Sequence, residues 1–228
     1  MKIVCFMYPG FTALDLVGPV TAWGAMPDVA FEFVASAKGD VLTDSGLTLR
    51  ATHDFTDFST APDVLLVPGG ALPTFEALQD DALLDAIARA GEGAAWVTSV
   101  CTGALLLGAA GLLRGYRSAS HWTARHYLDQ FGALPDAARV VIDRNRASGG
   151  GVTAGIDFGL SMIRHWRGEE TSKLIELVLE YAPEPPNACG LPELADAATL
   201  AQARALTGPM MPAELVRAAA RRRGFVAG

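Results

Sequence analysis

One cysteine stands where a nucleophile could be made. In Thr98-Ser99-Val100-Cys101-Thr102-Gly103-Ala104-Leu105, a run suited to a buried strand passes directly into a Gly- and Ala-rich run suited to a helix. A sharp turn at that junction exposes the sulfur at the top edge of a sheet. There the free N–H groups and partial positive charge of a helix N-terminus lower a thiol pKa. The logic is that of a nucleophile elbow, without the Gly-x-Ser-x-Gly pattern. Taken alone, the same residues also fit an inert buried cysteine.

Two other segments carry polar chemistry among apolar neighbours. Pro68-Gly69-Gly70 closes a separate apolar run. Its glycines let backbone N–H groups turn toward a site, where one pairs with the Thr102 N–H as an oxyanion hole; an ordinary glycine turn is the alternative. Leu14-Asp15-Leu16-Val17-Gly18-Pro19 sets a carboxyl group between apolar side chains. Burial there raises its pKa and suits it to general-acid work beside a thiolate. A capping or solvent-facing Asp15 is the plainer reading.

These three segments need a scaffold that brings them together, and the pattern of the chain supplies one. Short apolar runs at Ile3–Met7, Phe31–Ala37, Asp63–Val67 and Ala95–Val100 read as buried strands. Helical stretches follow at Thr12–Ala25, Asp80–Ala90, Thr102–Leu113, His121–Phe131, Thr153–Trp166 and Glu169–Tyr181. Val41–Arg50 reads as a hairpin, and Val140–Asp143 with Ala147–Gly150 as paired short strands. Alternation of strands with helices predicts right-handed βαβ units and a doubly wound, mostly parallel α/β sheet sandwiched by helices. Ligands of such sheets bind outside the carboxyl ends of the strands, which are the turns after Met7, Val67 and Val100.

At 228 residues and half hydrophobic, the chain suits one large core. The Pro183-Glu184-Pro185-Pro186 stretch closes a domain over 1–186, and 187–228 is a helical extension packed on it, with segments near Ala195–Leu206 and Pro212–Arg223. The net charge of −7 disfavours nucleic acid as a partner. Three scattered cysteines and no CxxC point to a reducing compartment. No signal sequence or apolar run of bilayer length is evident. The expectation is a cytoplasmic protein with a small-molecule substrate and no membrane partner. Cys5 reads as a core residue and Cys189 as an unreactive tail thiol. His53, His126 and His165 read as structural or exposed, and Arg221-Arg222-Arg223 as charge that complements a helix end.

Taken together, Gly10-Phe11-Thr12-Ala13-Leu14-Asp15-Leu16-Val17-Gly18-Pro19, Val67-Pro68-Gly69-Gly70, Ser99-Val100-Cys101-Thr102-Gly103-Ala104 and Gly151-Val152-Thr153-Ala154-Gly155-Ile156-Asp157-Phe158-Gly159-Leu160 resemble the DJ-1/PfpI superfamily, most of all its isocyanide hydratase branch. The resemblance implies a flavodoxin-like sandwich, a homodimer, a catalytic cysteine at Cys101 and no metal or organic cofactor. It also implies roles for Asp15 and Thr102 beside the nucleophile, with Gly69, Gly70, Gly150 and Val152 binding substrate or an oxyanion. Many members carry Glu where this chain has Asp15; the shorter side chain leaves more room for a substrate. His121 matches a histidine found near the cysteine in several branches; the alternative is a structural histidine beside Trp122.

The activity so implied is hydration of an organic isocyanide to an N-substituted formamide through a thioimidate on Cys101. Two other readings stand beside it. One is a glyoxalase-like or stress-response enzyme acting on reactive carbonyls. The other is a non-catalytic ligand-binding domain like that of AraC-type regulators, although only about forty residues follow Pro186.

Overall fold

The computed structural model describes residues 1–225. The chain opens with β1 (Lys2–Phe6), α1 (Ala13–Gly24) and β2 (Ala30–Ala35), followed by the hairpin of β3 (Gly39–Leu42) and β4 (Thr48–Ala51). A two-residue strand, β5 (His53–Asp54), then leads to β6 (Val64–Val67), α2 (Ala71–Ala77) and α3 (Asp81–Gly93). Next come β7 (Trp96–Val100), α4 (Gly103–Ala109), the short β8 (Arg117–Ser118), a 3-10 helix over Arg125–Phe131 and β9 (Leu134–Pro135). The chain continues through β10 (Val140–Asp143), β11 (Arg146–Gly149), α5 (Ala154–Arg167), α6 (Glu169–Val178), α7 (Ala197–Thr207) and α8 (Ala213–Arg222).

The central sheet runs β10-β11-β7-β6-β1-β2-β5, and only the β10–β11 pairing is antiparallel. Its inner strands are short and apolar because helices cover both faces. All four residues of β6 are buried, as are Ile3–Phe6 of β1 and Val97–Val100 of β7. β1 leads through α1 to β2 on one side, while β6, beside β1 on its other flank, leads through α2 and α3 to β7. The strand order therefore reverses between β1 and β6, which is where a ligand crevice opens in such sheets. The turns after β1, β6 and β7 meet at that edge.

Close packing draws the elements inward. Gly155 and Gly159 of α5 lie against Pro19 and Ala22 of α1, and the Trp23 indole N–H donates to the Gly159 carbonyl at 3.1 Å. Trp23 also meets Phe158 edge-on at 5.7 Å between ring centres. Among the described residues, no helix is long and apolar enough to cross a membrane.

Several local expectations change. The helix expected over His121–Phe131 is a 3-10 helix confined to Arg125–Phe131, ended by Gly132 at φ 72°. α4 stops at Ala109, short of Leu113, because the chain turns at Gly111, φ 84°, where a residue with a Cβ is strained. α2 was not foreseen. It is seven residues long and contains Pro73, too short and irregular to show an apolar period. Downstream of the Pro-rich stretch, α8 buries Val216, Ala219 and Ala220, whereas α7 buries no residue.

Candidate active site

Cys101 occupies the turn between β7 and α4 with φ 59°. A non-glycine residue in the left-handed region is strained, and such strain collects at functional turns. The Cys101 N–H donates to the Gly149 carbonyl at 3.0 Å, and the Ser120 hydroxyl donates to the Cys101 carbonyl at 2.9 Å. The elbow is thus fixed by β11 and by the segment after β8.

Glycine at two positions allows the neighbouring turn to close on it. A Cβ on Gly69 would collide with the Thr102 nitrogen and hydroxyl, and one on Gly103 would collide with the Val67 carbonyl. The turn after β6 therefore lies directly against the start of α4. From the other flank, the Thr12 N–H donates to the Gly69 carbonyl at 2.8 Å and anchors the start of α1 to the same turn.

That arrangement delivers Asp15 to the sulfur. Asp15 is fully buried, and its Oδ2 accepts from the Gly69 N–H at 2.9 Å, while its Oδ1 has no hydrogen-bond partner. Burial raises its pKa from the ordinary 3.8 to about 7, against the opposing pull of the Gly69 N–H and the Cys101 thiol. The Asp44 carboxylate, on the β3–β4 hairpin, adds to the rise. The hairpin is tied to the start of α1 by hydrogen bonds from Thr12 Oγ1 to Asp44 Oδ2 at 2.7 Å and from the Gly10 N–H to the Leu42 carbonyl at 2.8 Å.

Two expectations about Cys101 are corrected. The residue is only 4% exposed rather than presented openly at the sheet edge. Its thiol pKa is raised well above the ordinary value, not lowered. Burial is the largest cause and the Asp15 charge the next; the N–H and hydroxyl of Thr102 pull the other way without prevailing. At neutral pH Cys101 therefore keeps its proton while Asp15 lies close to its own midpoint, since two buried negative charges side by side are mutually unfavourable.

The backbone donors are also more committed than the sequence suggests. The Gly69 N–H is held by Asp15, the Gly70 N–H by Thr102 Oγ1 at 2.9 Å, and the Gly150 N–H by the Arg139 carbonyl at 2.9 Å. Gly69 and Gly70 thus place side chains rather than offering free N–H groups to an oxyanion. Val152 lies half-buried in the turn before α5. His121 is held through Nδ1 by the Thr123 hydroxyl at 2.6 Å, and its ring lies over Gly151. Burial lowers its pKa, and it is absent from the groups acting on the Cys101 thiol. Of the two readings of His121, this geometry favours the structural one, with Thr123 as its hydrogen-bond partner.

Two groups at the site, Tyr8 and Thr74, escaped sequence reasoning, and both connect to Thr102. Tyr8, Thr74 and Thr102 are buried and joined by hydroxyl contacts of 2.8 Å each, Tyr8 to Thr74 and Thr74 to Thr102. Tyr8 follows β1 directly and was legible only as the end of an apolar run, while Thr74 sits on the unforeseen α2. Among the described residues, no three His, Cys, Asp or Glu side chains converge as a metal site would need.

Comparison with known proteins bears on this arrangement. Residues 1–165 match the model of the DJ-1/PfpI family. The chain is 41% identical to an isonitrile hydratase of Pseudomonas putida over 92% of each chain. A crystal structure of a THiJ/PfpI family protein from Pseudomonas syringae superposes with a TM-score of 0.92 at 40% identity, covering 96% of this chain and 90% of that one. The HTH-type transcriptional regulator GbdR of Pseudomonas aeruginosa is 34% identical over 58% of this chain, but the match spans only 36% of the regulator.

Proposed function

We propose that this chain, which belongs to the DJ-1/PfpI family, adds water to organic isocyanides and releases N-substituted formamides, using Cys101 as nucleophile. The observation that carries the reading is the pairing of a buried cysteine at a strained elbow with a carboxyl group of pKa about 7 whose Oδ1 is unengaged. The 41% identity to an isonitrile (isocyanide) hydratase over 92% of both chains supports the substrate class.

The steps balance around a single shared proton. The Cys101 proton passes to Asp15 Oδ1, giving thiolate and neutral carboxyl. The thiolate attacks the terminal carbon of R–NC, and Asp15 delivers its proton to that carbon, leaving the thioimidate R–N=CH–S. The Asp15 carboxylate then takes a proton from water as the oxygen adds to the same carbon, and returns it to nitrogen. The tetrahedral adduct R–NH–CH(OH)–S collapses with loss of its hydroxyl proton to Asp15. This releases R–NH–CHO and restores the thiolate with a neutral carboxyl group. A carboxyl pKa near neutrality serves both directions of transfer.

The restricted access to Cys101 agrees with this choice. An isocyanide presents its electrophilic carbon at the tip of a linear, slender group, whereas a carbonyl carbon is trigonal and carries an oxygen and at least one substituent beside the line of attack.

Incubation with a simple aliphatic isocyanide, followed by chromatography of the formamide, tests the proposal. The native chain forms formamide and Cys101→Ala forms none above the uncatalysed rate. Undiminished formation by Cys101→Ala, or turnover of methylglyoxal with none of isocyanides, excludes it.

A further inference from the structure

We infer that Tyr8, Thr74 and Thr102 form a reversible hydroxyl relay, which turns a hydrogen-bonding proton toward the Cys101 sulfur when that sulfur ionises. The relay is one continuous buried chain. The Gly70 N–H donates to Thr102 Oγ1 at 2.9 Å, Thr102 Oγ1 lies 2.8 Å from Thr74 Oγ1, and Thr74 Oγ1 lies 2.8 Å from the Tyr8 hydroxyl. The chain ends where the Tyr8 hydroxyl donates to the Pro68 carbonyl at 3.1 Å.

Counting protons fixes its resting direction. Each hydroxyl has one proton to give. The Pro68 carbonyl only accepts, so Tyr8 gives it the phenol proton. The Tyr8 oxygen then accepts from Thr74, which spends Thr74's proton, and Thr74 accepts in turn from Thr102. Every donor is satisfied, and the Thr102 proton points away from Cys101, the residue before it.

A thiolate reverses the chain in one consistent step. Thr102 turns its proton to sulfur and still accepts from Gly70. Thr74 turns its proton to Thr102, and Tyr8 turns its own to Thr74. No covalent bond to hydrogen breaks within the relay, because three hydroxyls rotate. The sole hydrogen bond given up is that to the Pro68 carbonyl. The proton leaving sulfur goes to Asp15. The reversed chain gives the thiolate a hydroxyl donor at the cost of the Tyr8–Pro68 hydrogen bond, so the intact relay restrains ionisation. The Thr102 hydroxyl belongs to the residue that directly follows Cys101, and it lowers the thiol pKa while burial and Asp15 raise it.

The charged and titratable groups that face this chain are few. Asp15 of α1 bears on both Cys101 and Tyr8, and Asp44 of the hairpin bears on Tyr8 and Asp15. Tyr8 is itself held neutral by burial. The relay rests on the proposed function only in taking Cys101 as the reacting group, and it requires no particular substrate.

The test reads sulfur ionisation rather than turnover. In a Cys189→Ser background, which removes the exposed thiol, the pH midpoint of Cys101 alkylation by iodoacetamide is followed by peptide mass spectrometry. The midpoint reports ionisation, and the plateau rate at high pH reports access. Thr74→Val removes the acceptor of the Thr102 proton, and Tyr8→Phe removes the acceptor of the Thr74 proton, which then turns to Thr102 and frees the Thr102 proton for sulfur. Both therefore lower the midpoint and speed alkylation at neutral pH, roughly three- to tenfold. Thr102→Val removes the donor and raises the midpoint by a similar factor. Thr74→Ser keeps the native midpoint, and Tyr8→Phe has no further effect in a Thr102→Val chain. Shifts in one direction for all three variants, failure of Thr74→Ser to restore the midpoint, or a Tyr8→Phe effect that persists without Thr102 overturns the relay. Absence of isocyanide turnover with these opposed shifts intact counts against the proposed function alone.

Discussion

At the scale of single residues, the molecule is organised around a carboxyl group that the fold would rather keep neutral. Asp15 has a folded pKa of about 7 against 3.8 in its ordinary state. Below pH ~4 the group is protonated in folded and unfolded chains alike, and burial carries no ionic penalty. Between pH ~4 and ~7 the unfolded chain releases this proton and the folded chain does not, so stability falls as pH rises, by roughly 4 kcal/mol in all. Asp15→Asn removes the dependence while an amide oxygen still accepts from Gly69. Thermal unfolding of the variant should move less than that of the native chain between pH 5 and pH 8.5, with the variant the more stable at the upper pH. Turnover of isocyanide should fall by at least ~100-fold, the size of a lost general acid–base. Parallel pH dependences in the two proteins would contradict the assigned state of Asp15.

The reading of Cys101 turns on the same balance. The helix N-terminus that the sequence offers is present, and Thr102 does assist the sulfur. The immediate neighbours of Cys101 do not show how completely the sulfur is sealed from water, and that burial, reinforced by the Asp15 charge, reverses the direction. Residue type and immediate neighbours singled out both side chains and gave the direction of the Asp15 shift; the direction for Cys101 needed the packing.

At the scale of elements, the site depends on the turn after β6 pressing against the start of α4. Gly69→Ala should push these apart, because the atoms a methyl meets are the backbone nitrogen and hydroxyl of Thr102. Overpacking of this kind costs ~1–3 kcal/mol. The variant should unfold several degrees lower by calorimetry, and its turnover should fall more than its stability, since the same shift moves the N–H that holds Asp15. A native-like melting temperature and rate would mean the close approach is dispensable. The long strands and helices were legible because burial on both faces and on one face leave different hydrophobic patterns. α2 was not, because seven residues with an internal proline carry too short a pattern. Thr74 was therefore invisible as a site residue, although its type is ordinary for a buried hydrogen-bonding position.

At the scale of the whole molecule, the reversal of strand order between β1 and β6 gathers residues 8, 15, 69, 74, 101 and 102 at one edge. The C-terminal elements act elsewhere. Arg222 of α8 donates to Asp81, Gln79 and the Leu78 carbonyl, Arg223 donates to Asp85, and the Phe225 ring packs on Phe131 at 5.4 Å. The basic cluster that the sequence assigned to a helix end is thus also a clamp on α3 and the segment before it. Arg222→Ala should lower stability by roughly 1 kcal/mol through loss of these hydrogen bonds, seen as a small fall in melting temperature with Cys101 alkylation unchanged. Changed alkylation would show that α8 reaches the site through α3.

The sequence by itself determined the α/β architecture and the three turns that meet, and it singled out Cys101 and Asp15 as candidates. These follow from short-range periodicity or from a residue type set against its immediate neighbours, whereas the pairing of the two came from the resemblance of their motifs to a family. Only the tertiary structure decided which backbone N–H groups are taken, that His121 is tied to Thr123 instead of the sulfur, and that the thiol is held protonated. The His121–Thr123 contact is local; the commitments of Gly69 and Gly70 and the state of the thiol are set by contacts between residues 54, 32 or 86 positions apart, in a dielectric that exists only once the sheet is covered on both faces.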